Sequence, residues 1–156
     1  MATKDLSNYD AAGVPRGTGL RLGLVVSAWN PEITEAMRDG AMETLLKHGV
    51  AMKDIHEERV PGSYELALSA QMLLEHRALD GVICIGSVVR GETPHFDFVC
   101  HATAQGIMDV GLKTGRPAIF CVLTDDNIDQ ARARSGGKHG NKGVEAAVAL
   151  LKMADL

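Results

Sequence analysis

Four short apolar runs, each separated from the next by a segment with helical spacing, most constrain how this chain can fold. The runs lie at residues 20–27, 53–60, 81–86 and 117–123, and all but the second are almost continuously apolar. Such runs are typical of strands buried on both faces. Because strands that alternate with helices pair in parallel, the pattern predicts an α/β fold in which helices flank a four-stranded parallel sheet. The second run has mixed polarity, which indicates an edge strand.

The segments between the runs begin and end with residues that favour helices. The first follows Asn30 and Pro31, which are favoured at the N-cap and first helical positions, and it stops at Gly49. A short helix from Asn127 to about Arg134 begins with a pattern that resembles a capping box. Residues 1–19 show no usable periodicity, so we expect an N-terminal arm followed by a single domain over residues 20–156.

Composition and charge argue against several classes of protein. A formal net charge of −4 gives no basic face for nucleic acid, and no apolar stretch approaches the roughly 20 residues that span a bilayer. The segment MATKDLSNYD has no apolar core of a signal peptide. Cys84, Cys100 and Cys121 are scattered without a CxxC motif, which indicates free thiols in a reducing compartment. We expect a cytoplasmic protein that binds neither nucleic acid nor membranes.

Polar and aromatic residues follow the predicted strands, where parallel sheets bind ligands. Trp29 follows the first strand and is either a core plug or a surface on which a heteroaromatic ring stacks. After the second strand, Ser63 is either an N-cap or a polar contact. Glu65 nearby either favours a helix N-terminus or accepts hydrogen bonds from sugar-like hydroxyls.

The segment GSVVRGETPHFDFVC at residues 86–100 follows the third strand and opens a helix. Arg90, Gly91, Glu92 and Thr93 suit a phosphate site at a helix N-terminus, although a charged turn with a capping Thr has the same spacing. His95 is either a surface residue or a general acid and base. A basic cluster, Arg132 to Lys142, is either a solvated turn or a second source of cations for a phosphate.

Several common site types have no support in the residue spacing. His95 and His101 lie on different faces of a predicted helix, and no Cys, His or Asp grouping has metal-ligand spacing, so we predict no metal site. The chain lacks the GxGxxG, Walker and GxSxG patterns of dinucleotide sites, P-loops and nucleophile elbows.

Three long motifs resemble those of the lumazine synthase family. The segment GSVVRGETPHFDFV is similar to the family's GxVIRGxTxHxDxV, and VPGSYEL is similar to its VPGAxE. The segment VLTDDNIDQARARSGGKHGNKGVEAA is similar to VLTxxxxxQAxxRAGxxxGNKGxEAA. The likeness covers nearly the whole chain from about Leu20, in order.

The resemblance implies a fold, a reaction and an assembly. The fold is a flavodoxin-like three-layer sandwich. The reaction joins 5-amino-6-(ribitylamino)uracil to 3,4-dihydroxy-2-butanone 4-phosphate and yields 6,7-dimethyl-8-ribityllumazine, phosphate and water, the penultimate step of riboflavin biosynthesis. The family uses no metal or redox cofactor. Its sites lie between subunits of a pentamer, and in many members twelve pentamers form an icosahedral capsid; riboflavin synthase is a further expected partner.

By matching position, the resemblance assigns roles to particular residues. His95 is the catalytic histidine, Trp29 stands where Phe is common and stacks on the pyrimidine, and Arg134 clamps the phosphate. Phe120, at the end of the fourth strand, closes the pocket from the adjacent subunit, and Lys142 lies near the reacting centre. The remaining substrate contacts are Ser63, Tyr64 and Glu65 toward the ribityl chain and pyrimidine, the backbone of Ser87, Val88 and Val89 toward the pyrimidine, and Glu92 and Thr93 beside the phosphate.

Two questions stay open on the sequence alone. A non-catalytic flavin- or lumazine-binding shell protein is an alternative function, although the presence of both His95 and Arg134 favours the enzyme. The homo-oligomer is a pentamer, a decamer or a 60-mer.

Overall fold

The computed structural model describes residues 5–156, and its centre is a sheet of four parallel strands. These are β1 (Leu22–Ser27), β2 (Ile55–Val60), β3 (Gly81–Val89) and β4 (Ala118–Asp125). Their order is β2-β1-β3-β4, so the polar β2 lies at an edge. The predicted four-stranded parallel sheet is confirmed.

Helices cover both faces of this sheet. They are α1 (Pro31–Lys47), α2 (Leu66–His76), α3 (His95–Thr114), α4 (Ile128–Arg134) and α5 (Lys142–Ala154). Because side chains alternate across a strand, β3 sends Ile83 and Ile85 into a core beneath α1 and α5. It sends Val82 and Cys84 into a second core beneath α2 and α3. The result is the predicted three-layer sandwich.

The strands end later along the chain than the apolar runs indicate. β3 extends to Val89 instead of residue 86, and β4 extends to Asp125 instead of residue 123. The added residues pair with each other, Val88 with Thr124 and Val89 with Asp125. Polar residues in this extension hide it from a reading based on hydrophobic runs. At the other end of the sheet, residues 52–54 form a 3-10 turn before β2.

A close crossing of α1 and α5 explains part of the GNKG segment. Two short strands, β5 (Ser135–Gly137) and β6 (Gly140–Asn141), lead into α5. Asn141 caps α5, since its Oδ1 accepts from the Gly143 N–H at 2.8 Å, and its Nδ2 donates to the Ala36 carbonyl of α1 at 2.8 Å. A Cβ on Gly143 would overlap the Met37 carbonyl oxygen. Only glycine fits at this crossing.

The described part of the predicted arm, residues 5–19, lies against the same chain. The Leu6 N–H donates to the His139 carbonyl at 2.7 Å, and the Ser7 Oγ accepts from the Asn141 N–H at 2.8 Å. The Tyr9 hydroxyl lies 3.2 Å from Nε2 of the buried His48. The division of the chain at residue 19 into arm and domain stays a prediction.

The predicted capping box at α4 is confirmed in one half. Asn127 Oδ1 accepts from the Gln130 N–H at 3.0 Å, as a capping residue does. The return bond goes one residue further, because Gln130 Oε1 accepts from the N–H of Asp126. Within residues 5–156, no helix is both long and apolar enough to span a membrane.

We expect Gly143→Ala to lower the free energy of unfolding by about 2 kcal/mol or more, because the added methyl forces α1 and α5 apart. Gly111→Ala in α3 is the matched control. Its Cβ would meet no heavy atom closer than 3.6 Å, so it should raise stability by about 0.5–1 kcal/mol through helix propensity. Urea unfolding measures the free energy of unfolding of both variants. An equal change in the two would contradict a tight contact between α1 and α5 at Gly143.

Candidate active site

A cavity of about 460 Å³ opens at the carboxyl ends of β1 and β3, a size that suits a small organic molecule. A 3-10 turn, Ser63–Glu65, and the first residues of α3 form its other walls. Its lining residues are Trp29, Asn30, Gly62, Ser63, Tyr64, Glu65, Ser87, Val88, Val89, His95 and Val99.

Most of the predicted site residues meet at this cavity. Those that line it are His95, Trp29, Ser63, Tyr64, Glu65, Ser87, Val88 and Val89. Glu92, Thr93, Phe120 and Arg134 do not line it in the single chain. Asn30, Gly62 and Val99 line it but were not among the predicted residues. The sequence could have indicated Asn30 and Gly62, since both follow predicted strands at this edge of the sheet.

Trp29 and Glu65 face each other across Gly62. The Trp29 side chain is 70% exposed, so it is not a core plug. A Cβ on Gly62 would lie 3.5 Å from the Trp29 ring and 3.1 Å from the Glu65 carboxylate. Any larger residue at position 62 would therefore press on one of the two. Glycine leaves the aromatic face and the carboxylate open to the cavity.

Ser63 is fixed by packing and does not act as an N-cap. It is buried, and a Cβ on Gly86 of β3 would collide with its hydroxyl. Thr103 of α3 donates its hydroxyl to the Ser63 carbonyl at 3.2 Å. The 3-10 turn is thus tied to β3 and α3, and these contacts hold Tyr64 and Glu65 at the cavity.

Ser87, Val88 and Val89 belong to β3 and not to the loop after it. Val88 packs against the core beneath α2 and α3, while the Ser87 side chain is buried without a hydrogen-bond partner among the described residues. The backbone of these residues therefore meets the cavity from a strand held by β4, which gives it a fixed orientation.

Arg90 fastens the loop that follows β3. Its guanidinium donates to Asp126 at 2.9 Å and to Asp97 at 3.2 Å, and it lies 4.1 Å from the centroid of the Phe96 ring. Both carboxylates raise the pKa of Arg90, the Asp126 bond most. These contacts hold the loop in place, so in this structure Arg90 is not the anion-binding residue that its position predicted.

The start of α3 lacks a side-chain cap. Its N-cap is Pro94, which makes no capping bond, so the alternative of a capping Thr93 is wrong. His95 is the first residue of the helix, lines the cavity and is exposed, and Glu92 and Thr93 in the preceding loop are also exposed. The first N–H groups of a long helix left without a side-chain cap favour an anion at this point.

Phe120 does not lie at the end of β4. It is the third residue of the strand, pairs with Cys84, and packs against the core beneath α2 and α3. The sequence prediction set the strand end too early, at residue 123. Within one protomer Phe120 therefore lies well before the carboxyl edge at which the cavity opens.

Arg134 ends α4 outside the cavity. Its Nη1 donates to the Gln130 carbonyl at 3.0 Å and lies 4.0 Å from Asp125 Oδ1. Asp125 is buried, one of its carboxylate oxygens has no partner among the described residues, and burial raises its pKa more than Arg134 lowers it. Arg134 has further N–H groups and is partly exposed, so it can still bind an anion.

Two members of the predicted basic cluster, Arg132 and Lys142, are engaged in close ion pairs. Arg132 donates to both oxygens of Glu32 at 2.8 and 3.0 Å, and Lys142 pairs with Glu145. Arg132 lowers the pKa of Glu32. Arg134 keeps N–H groups available for an external anion.

Two of the cysteines lie in the core, away from the cavity. Cys84 and Cys121 are buried, and burial raises the pKa of Cys121 to about 12, so this thiol stays protonated. Within residues 5–156, no group of three or more His, Cys, Asp or Glu side chains is arranged to hold a metal ion.

Comparison with known proteins agrees with this geometry. Residues 19–156 match the sequence model of the family described as 6,7-dimethyl-8-ribityllumazine synthase. A protein of that name from Christiangramia forsetii is 50% identical, over 100% of this chain and 95% of the relative. A protein of the same name from Cytophaga hutchinsonii is 51% identical over 97% of this chain and 95% of the relative. Another from Porphyromonas gingivalis is 50% identical over 100% of this chain and 98% of the relative.

We expect Asp125→Asn to stabilise the protein near pH 7. Because burial raises the pKa of Asp125 above its ordinary value of 3.8, its ionised form costs stability once the pH exceeds the raised pKa. The gain should shrink as the pH falls toward 3.8 and both side chains are neutral. Urea unfolding between pH 4 and pH 7.5 measures this, and a variant less stable than the parent at pH 7 would contradict it.

Proposed function

The chain belongs to the 6,7-dimethyl-8-ribityllumazine synthase family, and we propose that the cavity between Trp29 and His95 is where it carries out this family's condensation. The protein is an enzyme of this type, which joins 5-amino-6-(ribitylamino)uracil to 3,4-dihydroxy-2-butanone 4-phosphate. The observation that carries the assignment of the site is the meeting of eight predicted substrate and catalytic residues at one cavity. The relatives are all named as synthases, so the non-catalytic alternative has no support.

The pyrimidine substrate fits the side of the cavity that Trp29 borders. The exposed face of Trp29 offers a stacking surface, and the Val88–Val89 backbone offers peptide groups at the ring edge. Ser63, Tyr64 and Glu65 lie on the turn that faces them, where a carboxylate suits the hydroxyls of a ribityl chain. In the proposed arrangement the 5-amino group points toward the remaining wall, which carries His95.

The phosphate substrate fits the start of α3. The uncapped first turn of that helix and the exposed Glu92–Thr93 loop suit an anion. The Glu92 carboxylate is compatible with this if it points to solvent and only its N–H faces the ligand. His95 then stands between the two substrates, where it assists the proton transfers of imine formation, phosphate loss and ring closure.

A second copy of the chain completes this site. The lining residues of the cavity include no Lys or Arg, although a charged guanidinium or ammonium group strengthens phosphate binding. Arg134 has N–H groups to spare but lies outside its own chain's cavity. We propose that Arg134 and Phe120 of a neighbouring subunit reach the cavity, while Lys142 approaches the reacting centre.

Exposed apolar residues on the helices support such an assembly. Large apolar side chains more than half exposed recur along α2 and α3: Leu68, Met72, Phe98, Met108 and Leu112. A stripe of this kind favours a protein interface. We propose a pentamer, with a decamer or a 60-subunit capsid as larger forms, a cytoplasmic location, and riboflavin synthase as a partner.

We expect His95→Ala to lower kcat by about 10²- to 10⁴-fold without abolishing turnover. Holding two substrates side by side is worth about 7 kcal/mol or more, and that contribution does not need the imidazole. Lumazine formation, followed by its fluorescence, measures the rate. A variant that binds both substrates normally but shows no turnover above background would contradict this ranking.

We expect Arg134→Ala to weaken binding of the phosphate substrate far more than binding of the pyrimidine, as measured by calorimetry. Removal of a charged partner costs about 2–5 kcal/mol, and only the phosphate substrate would lose it. Arg132→Ala is the control, because Arg132 is paired with Glu32. Equal losses of both affinities would count against the clamp.

Mixing the two variants tests whether the site is shared. If His95 and Arg134 act from different subunits, random assemblies of His95→Ala and Arg134→Ala chains contain intact sites at about a quarter of their interfaces. Co-expression should then restore activity toward that fraction. If both residues act within one chain, no intact site forms. The activity of the mixture then stays at the average of the activities of the two variants.

A further inference from the structure

The two strands that border the cavity end at different points. β1 stops at Ser27, and its last pair with β3 joins Val26 to Ile85, whereas β3 continues to Val89. In this last part, β4 continues alongside β3 on one side, while on the other side β1 has already ended. The cavity opens on the side that β1 has left.

The direction of the peptide groups in β3 follows from its pairing with β4. Successive strand residues turn their N–H and C=O groups alternately to the two sides. Arg90, directly after β3, donates its N–H to the Asp125 carbonyl of β4 at 2.9 Å. Val88 therefore also faces β4. Ser87 and Val89 turn their peptide groups to the side of β1 and the cavity.

Asn30 takes the place of the missing strand at Ser87. If β1 continued, residue 28 would pair with residue 87 and the Trp29 N–H would reach the Ser87 carbonyl. Instead the Trp29 N–H donates to Ser27 Oγ at 3.3 Å, and Asn30 Nδ2 donates to the Ser87 carbonyl at 3.0 Å. The Asn30 side chain satisfies the acceptor that a longer β1 would have satisfied.

The backbone of Asn30 is shaped for this contact and not for capping. Asn30 has φ 53° and ψ 57°, a left-handed conformation that few residues other than Gly adopt and that Asn tolerates. It precedes α1 in the N-cap position but makes no side-chain capping bond, contrary to the sequence prediction. Strained conformations of this kind persist where the surrounding structure requires them.

We propose that Asn30 is a positioning residue for the pyrimidine substrate. Its amide ends β1 and anchors β3 at Ser87. The chain can then turn Trp29 outward over the cavity, and the peptide of Val89, which has no partner among residues 5–156, is left to meet the heterocycle. A ring with adjacent N–H and C=O groups complements that peptide. The proposal rests on the proposed function and names the residue that prepares the ring site.

Two variants of Asn30 test the proposal. Asn30→Asp keeps the size and the left-handed backbone but cannot donate to the Ser87 carbonyl. Asn30→Gly keeps the backbone and removes the side chain, so folding is preserved. Because a buried acceptor is left unpaired, we expect kcat/KM for the pyrimidine substrate to fall by about 10- to 100-fold in both, with KM for the phosphate substrate within about two-fold.

Asn127→Asp is the matched control. Asn127 also precedes a helix, but its side chain accepts a hydrogen bond from the Gln130 N–H, which a carboxylate does equally well. Its kinetics should equal those of the parent. Hydrogen exchange of the peptide spanning residues 86–92 is a second readout, and should become about ten-fold faster in the Asn30 variants alone.

The outcomes separate this proposal from the proposed function. Parent-like exchange and parent-like pyrimidine kinetics in both Asn30 variants would overturn the positioning role while leaving the reaction intact. An equal rise in KM for both substrates would also overturn it. If the parent protein fails to bind the pyrimidine at all, the proposed function fails, and the exchange experiment still decides whether Asn30 anchors β3.

Discussion

The extra length of β3 beyond β1 is the constraint on which the rest of the site depends. In a parallel sheet each strand satisfies its neighbours' peptide groups, so a strand that outruns its partner presents unpaired groups at a fixed height and direction. Here one is taken by Asn30 and the next faces the cavity. The turn at Ser63–Glu65 packs against Gly86 of β3, and Arg90, directly after β3, donates to Asp97 in the first turn of α3, which gives the site a rigid frame.

The sequence predicted the layers of the fold and most of the cavity because both follow from simple periodicities. Alternating apolar runs indicate a covered parallel sheet, and polar residues after strand ends indicate where ligands bind. Periodicity does not reveal which backbone groups of neighbouring strands pair with each other. Ser87, Thr124 and Asp125 look like loop residues, yet their backbones complete β3 and β4. For the same reason Phe120 was placed at the end of a strand that runs five residues further, to Asp125.

Competition between partners limited the prediction of single side chains. The position of Arg90 after β3 predicts that it binds an anion. In the structure its guanidinium instead pairs with Asp97 and Asp126, and local spacing predicts neither contact. Asn30 is of a residue type that often caps helices, but its side chain donates to the Ser87 carbonyl, as the N–H of a longer β1 would. Arg134 ends α4 and does not line the cavity of its own chain, a separation that local spacing does not reveal.

Trp29, the only tryptophan of the chain, stands exposed at the cavity mouth. Indole emission from this protein therefore originates at a single known point. A molecule that stacks there changes the spectrum directly, while events elsewhere reach it only through the cavity walls. The protein thus carries an intrinsic optical reporter of its own occupancy.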